Sequence, residues 1–386
     1  RVWPLTSRLL RPTRAEDSHF QGSHDIPART QGTWAHENIG ACTPRSPLMA
    51  PSASSPAPSG VAFPMDVSTG ARTTTAAGKA VWAAAARGLA TPQGVALAEE
   101  LTAERHWRHS YDGYLTRLAE LQSCATPAAA VASCRAGLDA AHSTFQFCRA
   151  GEETVTLAAA MQHRRAPALW TGTITGDGDR PAKVPAIQMS VDGAGTTLTG
   201  DALVAHVRAW AAAGAVEPDV VDALECLNAN ADVWAGTDLD STVFVLLGGT
   251  SEMCPLAPLL ARGATVACVA RGSARLAAAA ALAAASPGGT LLLPISGGVD
   301  ASWSPASPAP ASVEEVLRTA GADLITQTPE IRTWLASLAP GKRLVVGAYA
   351  YLDGEAHVRA SLAMDAIAAD LVATRGGGGG GGGGGG

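Results

Sequence analysis

From Thr242 onward the chain alternates short aliphatic runs with helical segments. The runs are TVFVLLG, ATVACVA, GTLLLPI, ADLITQ and RLVVGAY, beginning at positions 242, 264, 289, 322 and 343. Near-continuous aliphatic strands separated by helices are what a parallel sheet needs when both of its faces are covered. Residues 239–375 are therefore expected to form an α/β domain, a parallel sheet between two layers of helices. The Pro/Ser/Ala-rich stretch 297–311 interrupts the alternation and reads as a surface insertion.

Upstream the pattern changes. Between about 76 and 150 apolar residues recur at helical spacing, with Thr91-Pro92 and Thr126-Pro127 as punctuation; Pro is favoured in the first turn of a helix. From 155 to 199 the runs ALWTGTITG and AIQMSV, with Asp177-Gly178 and Asp192-Gly193 as turns, predict a small antiparallel element. Two further helices are expected at about 201–213 and 218–228. Residues 76–238 thus read as a mainly helical N-terminal domain with a small β element. Residues 1–75, rich in Pro, Ser, Thr and Gly, read as a disordered leader. The tail 376–386 is glycine alone, which gives a fold no side chain to bury. Both ends read as those of a fragment. If translation began at Met49, the acid-free, Ser-rich run that follows would be similar to an organelle transit peptide.

Composition narrows the function classes. The chain has 386 residues, 47% of them hydrophobic, and a formal charge of -6. That is enough apolar material for two ordinary cores. No long basic stretch offers a nucleic acid its phosphate contacts, and no apolar run of about 18 residues lies free of charge. A small-molecule ligand is the expected partner, with a homo-oligomer left open. The seven cysteines are scattered without a C-x-x-C pair. They read as reduced, mostly buried thiols, which points to an intracellular, cytoplasmic protein or to a plastid or other organelle.

The run VFVLLGGTSEMCPLAPLLARGATVACVAR, Val243 to Arg271, resembles the first βαβ unit of NAD(P)-binding Rossmann proteins, the short-chain dehydrogenase/reductases in particular. In that group a T-G-x-x-x-G-x-G turn lets the backbone approach the dinucleotide while a helix N-terminus faces the pyrophosphate. The resemblance covers about a third of the chain. It implies a Rossmann-like three-layer fold, with Gly248, Gly249, Thr250 and Ser251 as the cofactor loop. Arg271, ending the second strand, would suit a 2'-phosphate, so the implied cofactor is NADP. The second and third glycine positions hold Glu252 and Cys254, and a carboxylate beside a pyrophosphate would be repelled. The helical half followed by a strand and an LLGxxSEM loop also resembles a group of bacterial and algal proteins, a likeness that implies no activity.

Short-chain dehydrogenases use a Tyr-x-x-x-Lys pair, the Lys lowering the Tyr pKa for proton exchange with a carbonyl. Four residues beyond Tyr349 and Tyr351 lie Asp353 and Glu355, so that pair is absent. The segment does set Tyr351 and His357 at the carboxyl end of a strand as a candidate acid/base pair. Arg359 stands near them as a contact for an anionic group. Thr328-Pro329 reads as a helix start. His106, Trp107, Arg108, His109, Tyr111 and Tyr114 form an aromatic and basic cluster suited to packing better than to metal. No G-x-S-x-G, P-loop lysine, H-E-x-x-H or EF-hand loop is present. Two functions remain: an NAD(P)-binding oxidoreductase-like protein performing NADP-linked reduction of a small carbonyl, or a non-catalytic Rossmann-like nucleotide-binding or scaffold protein. A transferase using a nucleotide-linked or methyl-donor ligand is a third class that no residue selects.

Overall fold

A computed structural model describes residues 59–66, 68–162, 169–181, 187–191, 196–230, 239–296 and 312–375. The leader up to 58, the insertion 297–311, the glycine tail and the Asp192-Gly193 turn lie outside these residues.

Four helices open the fold: α1 (Thr75–Gly88), α2 (Pro92–Ala103), α3 (Trp107–Ser123) and α4 (Pro127–Thr144). Thr91 and Thr126 cap two of them by accepting hydrogen bonds from Gly94 N and Ala129 N, each with Pro in the first turn. The α1 and α4 helices approach closely because their contact is built from small residues. A Cβ on Gly88 would sit 2.7 Å from that of Ala136, and the buried Ser133 hydroxyl donates to Ala85 O at 2.6 Å. Trp107, at the start of α3, is buried among these helices and stacks with Tyr114. Trp107 and Tyr114 of the aromatic cluster therefore pack among the helices, whereas His106, Arg108, His109 and Tyr111 are exposed.

The main sheet has five strands in the order β10 (Arg343–Ala348), β7 (Thr242–Leu247), β8 (Thr265–Val269), β9 (Thr290–Ser296), β4 (Leu169–Thr175). The β10, β7, β8 and β9 strands run parallel, and β4 is antiparallel to β9. Successive side chains alternate between the two faces, as strand geometry demands. Val243, Val245 and Leu247 pack with Ala267, Val269, Ile331 and Ile367. Leu246, Val266 and Cys268 pack on the other face with Leu260, Leu276 and Ala280. One layer of helices is thus α11 (Thr328–Ser337) and α12 (Glu355–Arg375). The other is α8 (Leu256–Ala261), α9 (Ala274–Ala284) and α10 (Val313–Thr319).

Four expectations need correction. Among the described cysteines only Cys148 and Cys268 are buried, and Cys124, Cys134 and Cys226 are exposed. The run 322–327 is a turn, not a strand: Asp323 Oδ1 accepts from Ile325 N and Thr326 N at 2.9 and 3.0 Å, and this side-chain bonding wins over strand pairing. The strand RLVVGAY therefore lies directly beside β7. The run ALWTGTITG makes no local hairpin; as β4 it joins the main sheet by pairing with β9, while β5 (Gln188–Ser190) and β6 (Thr197–Thr199) form their own two-stranded sheet. Order also begins before residue 76. Strand β1 (Gly60–Ala62) pairs with β2 (Gln146–Cys148), which pairs with β3 (Val155–Thr156), and Val61 N donates to Ile325 O at 2.9 Å. Its Val61 is buried, which accounts for order in a stretch whose composition looks unstructured. One cluster of buried residues crosses position 239, joining Val61, Phe63 and Phe147 to Val243, Ile331 and Ile367.

Helices α5 (Leu157–Gln162), α6 (Gly200–Ala212) and α7 (Pro218–Ala229) complete the described fold. No helix among the described residues is long and apolar enough to cross a membrane.

Candidate functional site

The chain steps from β7 to β8 to β9 in one direction, then returns through α10 and α11 to lay β10 on the other side of β7. A reversal of strand order opens a crevice at the carboxyl ends of the two strands that flank it, where open α/β sheets bind ligands. Here those ends are the loop after β7 and the turn after β10.

The first loop needs its glycines. Gly248 has φ +88°, and a Cβ there would lie 2.3 Å from Ala350 N. The amides of Gly248 and Gly249 both donate to Val269 O, at 2.9 and 3.1 Å. Ser251 N donates to Gly248 O and Cys254 N to Ser251 O, so the loop is a pair of successive turns. The Ser251 hydroxyl is buried with no hydrogen-bond partner. Thr250 is half-buried, and Glu252 and Met253 are exposed, so the carboxylate stands in water. The helix that follows, α8, has only six residues and no side-chain cap. Beneath the loop, burial and the neighbouring Cys254 push the Cys268 thiol up to about 12, which keeps it protonated and unreactive.

The second segment folds tightly against the first. Tyr349 N and Ala350 N both donate to Leu247 O, at 2.7 and 3.0 Å. The Tyr349 ring lies back over Gly347, where a Cβ would be 2.3 Å from it. Tyr351 is 74% exposed, and its ring centroid is 5.1 Å from that of His357, tilted by 50°. His357 Nδ1 is buried without a hydrogen-bond partner. The structure thus brings Tyr351 and His357 together. It employs Arg359 elsewhere: the guanidinium donates to Val61 O and Ser59 O and pairs with Glu355, tying β1 to α12.

Arg271 is exposed at the end of β8, with its Nε 3.8 Å from Asp323 Oδ2. A 2'-phosphate approaching Arg271 would therefore also meet the Asp323 carboxylate. Among the described residues no group of His, Cys, Asp and Glu side chains suits a metal ion. Two cavities, one lined by Phe147, Arg149, Val155 and Pro329 and one by Asp201, Val204, Arg208 and Asn228, are lined by no residue of the segments after β7 and β10.

No family model matches the chain, nor does any curated protein or solved structure.

Sequence reasoning missed three residues that shape this region. Asp323 carries the turn that displaces a strand and faces Arg271. Glu330, 7% exposed, pairs with Arg149 at 2.8 Å and ties β2 to α11. Buried Arg332 lies 3.5 Å from Asp370. Only Asp323 had a visible signal, an Asp after Gly321 in a run otherwise suited to a strand.

Proposed function

We propose that this protein is a Rossmann-like small-molecule-binding protein whose ligand lies across the carboxyl ends of β7 and β10, and that it is not a dehydrogenase of the usual kind. The observation that carries this reading is the reversal of strand order at β7. It is joined there by two buried polar atoms without partners, Ser251 Oγ and His357 Nδ1, one in each flanking segment. Buried polar groups without partners are costly, and a ligand that bonds them recovers that cost.

A dinucleotide held as in dehydrogenases is disfavoured because the amides of Gly248, Gly249, Ser251 and Cys254 are already spent on carbonyls. The helix behind them is also too short to focus charge on a pyrophosphate. Nucleotides remain the class of ligand to test. The second reading, NADP-linked reduction of a carbonyl, draws on the Tyr351 and His357 contact. Hydride would come from the nicotinamide and the proton from the Tyr351 phenol, with His357 beside it to resupply the proton. Its weakness is that, among the described residues, no lysine of the same chain stands beside Tyr351. Lys79 donates to Glu104 O, Lys183 lies outside the described residues, and Lys342 stands at the far end of β10.

Melting of the full chain with NADPH, NADH, ADP or S-adenosylmethionine at about 1 mM tests the first reading, since selective binding raises apparent stability. At least one nucleotide should raise the midpoint by a few degrees, with Ser251→Ala reducing the shift. No shift with any of the four contradicts it. Oxidation of NADPH with a panel of aldehydes and ketones, lost in Tyr351→Phe, would establish the second reading instead.

A further inference from the structure

The outer edge of the main sheet is unusual at β10. Arg343 N donates to Ser241 O, and Tyr349 N to Leu247 O, which fixes the phase of the ladder to β7. In a parallel pair the residues bonding inward alternate. Arg343, Val345, Gly347 and Tyr349 therefore face β7, and Leu344, Val346 and Ala348 point their N–H and C=O groups away from the sheet. Among the described residues no strand pairs with that side. Val345 is 40% exposed and Val346 36%. Natural edge strands are blunted by charge, proline or bulges. The centre of β10, Leu-Val-Val-Gly-Ala, has none of these.

We propose that this edge is covered by β10 of a second copy of the chain, paired antiparallel about a two-fold axis through Val346. The bonding pattern selects this register. With Val346 opposite Val346 and Leu344 opposite Ala348, each pair exchanges both of its bonds, and every outward donor and acceptor on both strands is satisfied. A shift of one residue turns these groups away from each other. Charge selects the direction. Lys342 and Arg343 are exposed at the start of β10, and Asp353 and Glu355 are exposed just beyond its end. Antiparallel pairing sets the basic start of each copy by the acidic finish of the other, whereas parallel pairing would stack like on like. The arrangement closes on itself and leaves no further edge at this side. In this register Lys342 of the second copy lies opposite Ala350, one residue from Tyr351. The pairing does not depend on the ligand reading.

The test is the mass of the full chain by light scattering and sedimentation from about 1 to about 100 μM, a range that brackets weak interfaces. The mass should rise with concentration from 39.0 kDa to twice that value. Val346→Pro removes only an outward N–H; it should melt like the parent when dilute and associate at least about tenfold more weakly. Val346→Lys, which keeps the backbone donor, should have the same effect on association. Lys342→Glu should weaken the dimer and Asp353→Lys in the same chain should restore it. A chain that stays at 39.0 kDa throughout overturns the proposal, as does association unchanged by both Val346 variants.

Discussion

The two edges of the main sheet solve the same problem differently. At one edge, β4 carries Thr171, Thr173 and Thr175 in alternation, and two helices brace it. Trp334 of α11 donates its Nε1 to Thr171 Oγ1 at 2.9 Å, and Gly172 lets Val316 of α10 approach so closely that a Cβ would be 2.7 Å from it. At the other edge, β10 has the aliphatic pattern of a central strand, yet among the described residues only β7 pairs with it. A strand whose composition asks for two neighbours and finds one marks the place where a partner is missing. The difference between the edges thus bears on the proposed interface, and the segments after β7 and β10 on the proposed ligand.

Four substitutions sharpen this contrast. Trp334→Ala should cost the most, about 3–5 kcal/mol by urea unfolding, because it empties a buried site and leaves Thr171 unpaired behind β4. Val345→Pro should cost about 3 kcal/mol, since it removes an inward ladder bond from β10 and strands a carbonyl of β7. Gly172→Ala should cost about 1–3 kcal/mol through overpacking against Val316 and Ile295, read from the same unfolding curves. Val346→Pro in dilute solution should cost under about 1 kcal/mol, because its N–H bonds to nothing in one copy. Equal losses at Val345 and Val346 would break the assignment of inward and outward residues and, with it, the distinction between the edges.

Much of this architecture is visible in the sequence for local reasons. The β7 to β9 strands are aliphatic enough to demand burial on both faces, and Thr91-Pro92 and Thr126-Pro127 supply both the cap and the first turn of a helix. Gly248 was legible as well, since a left-handed residue against a neighbouring backbone leaves glycine as the choice. The misreadings have a common cause: each depended on a partner far along the chain or on one polar side chain. The β4 partner lies more than a hundred residues downstream, and no local pattern announces it. The β1 strand is held by Arg359, which the sequence offers as an anion contact because Arg so often is one. In 322–327 the aliphatic residues suggest a strand, but Asp323 bonds the amides two and three residues on and makes a turn. At the candidate site, the nearness of Tyr351 and His357 follows from one short turn and was readable. The buried, unpartnered Ser251 hydroxyl was not, because no local pattern reveals which atoms the folded chain covers.

In the proposed dimer β10 bonds inward at alternate residues and offers the remainder to a second copy. Amide hydrogen exchange, resolved by residue and measured on dilute and concentrated samples, tests it directly. Val345, Gly347 and Tyr349 should be protected at both concentrations, whereas Leu344, Val346 and Ala348 should exchange quickly when dilute and slow markedly when concentrated. Protection of Leu344, Val346 and Ala348 that is the same at both concentrations would contradict it.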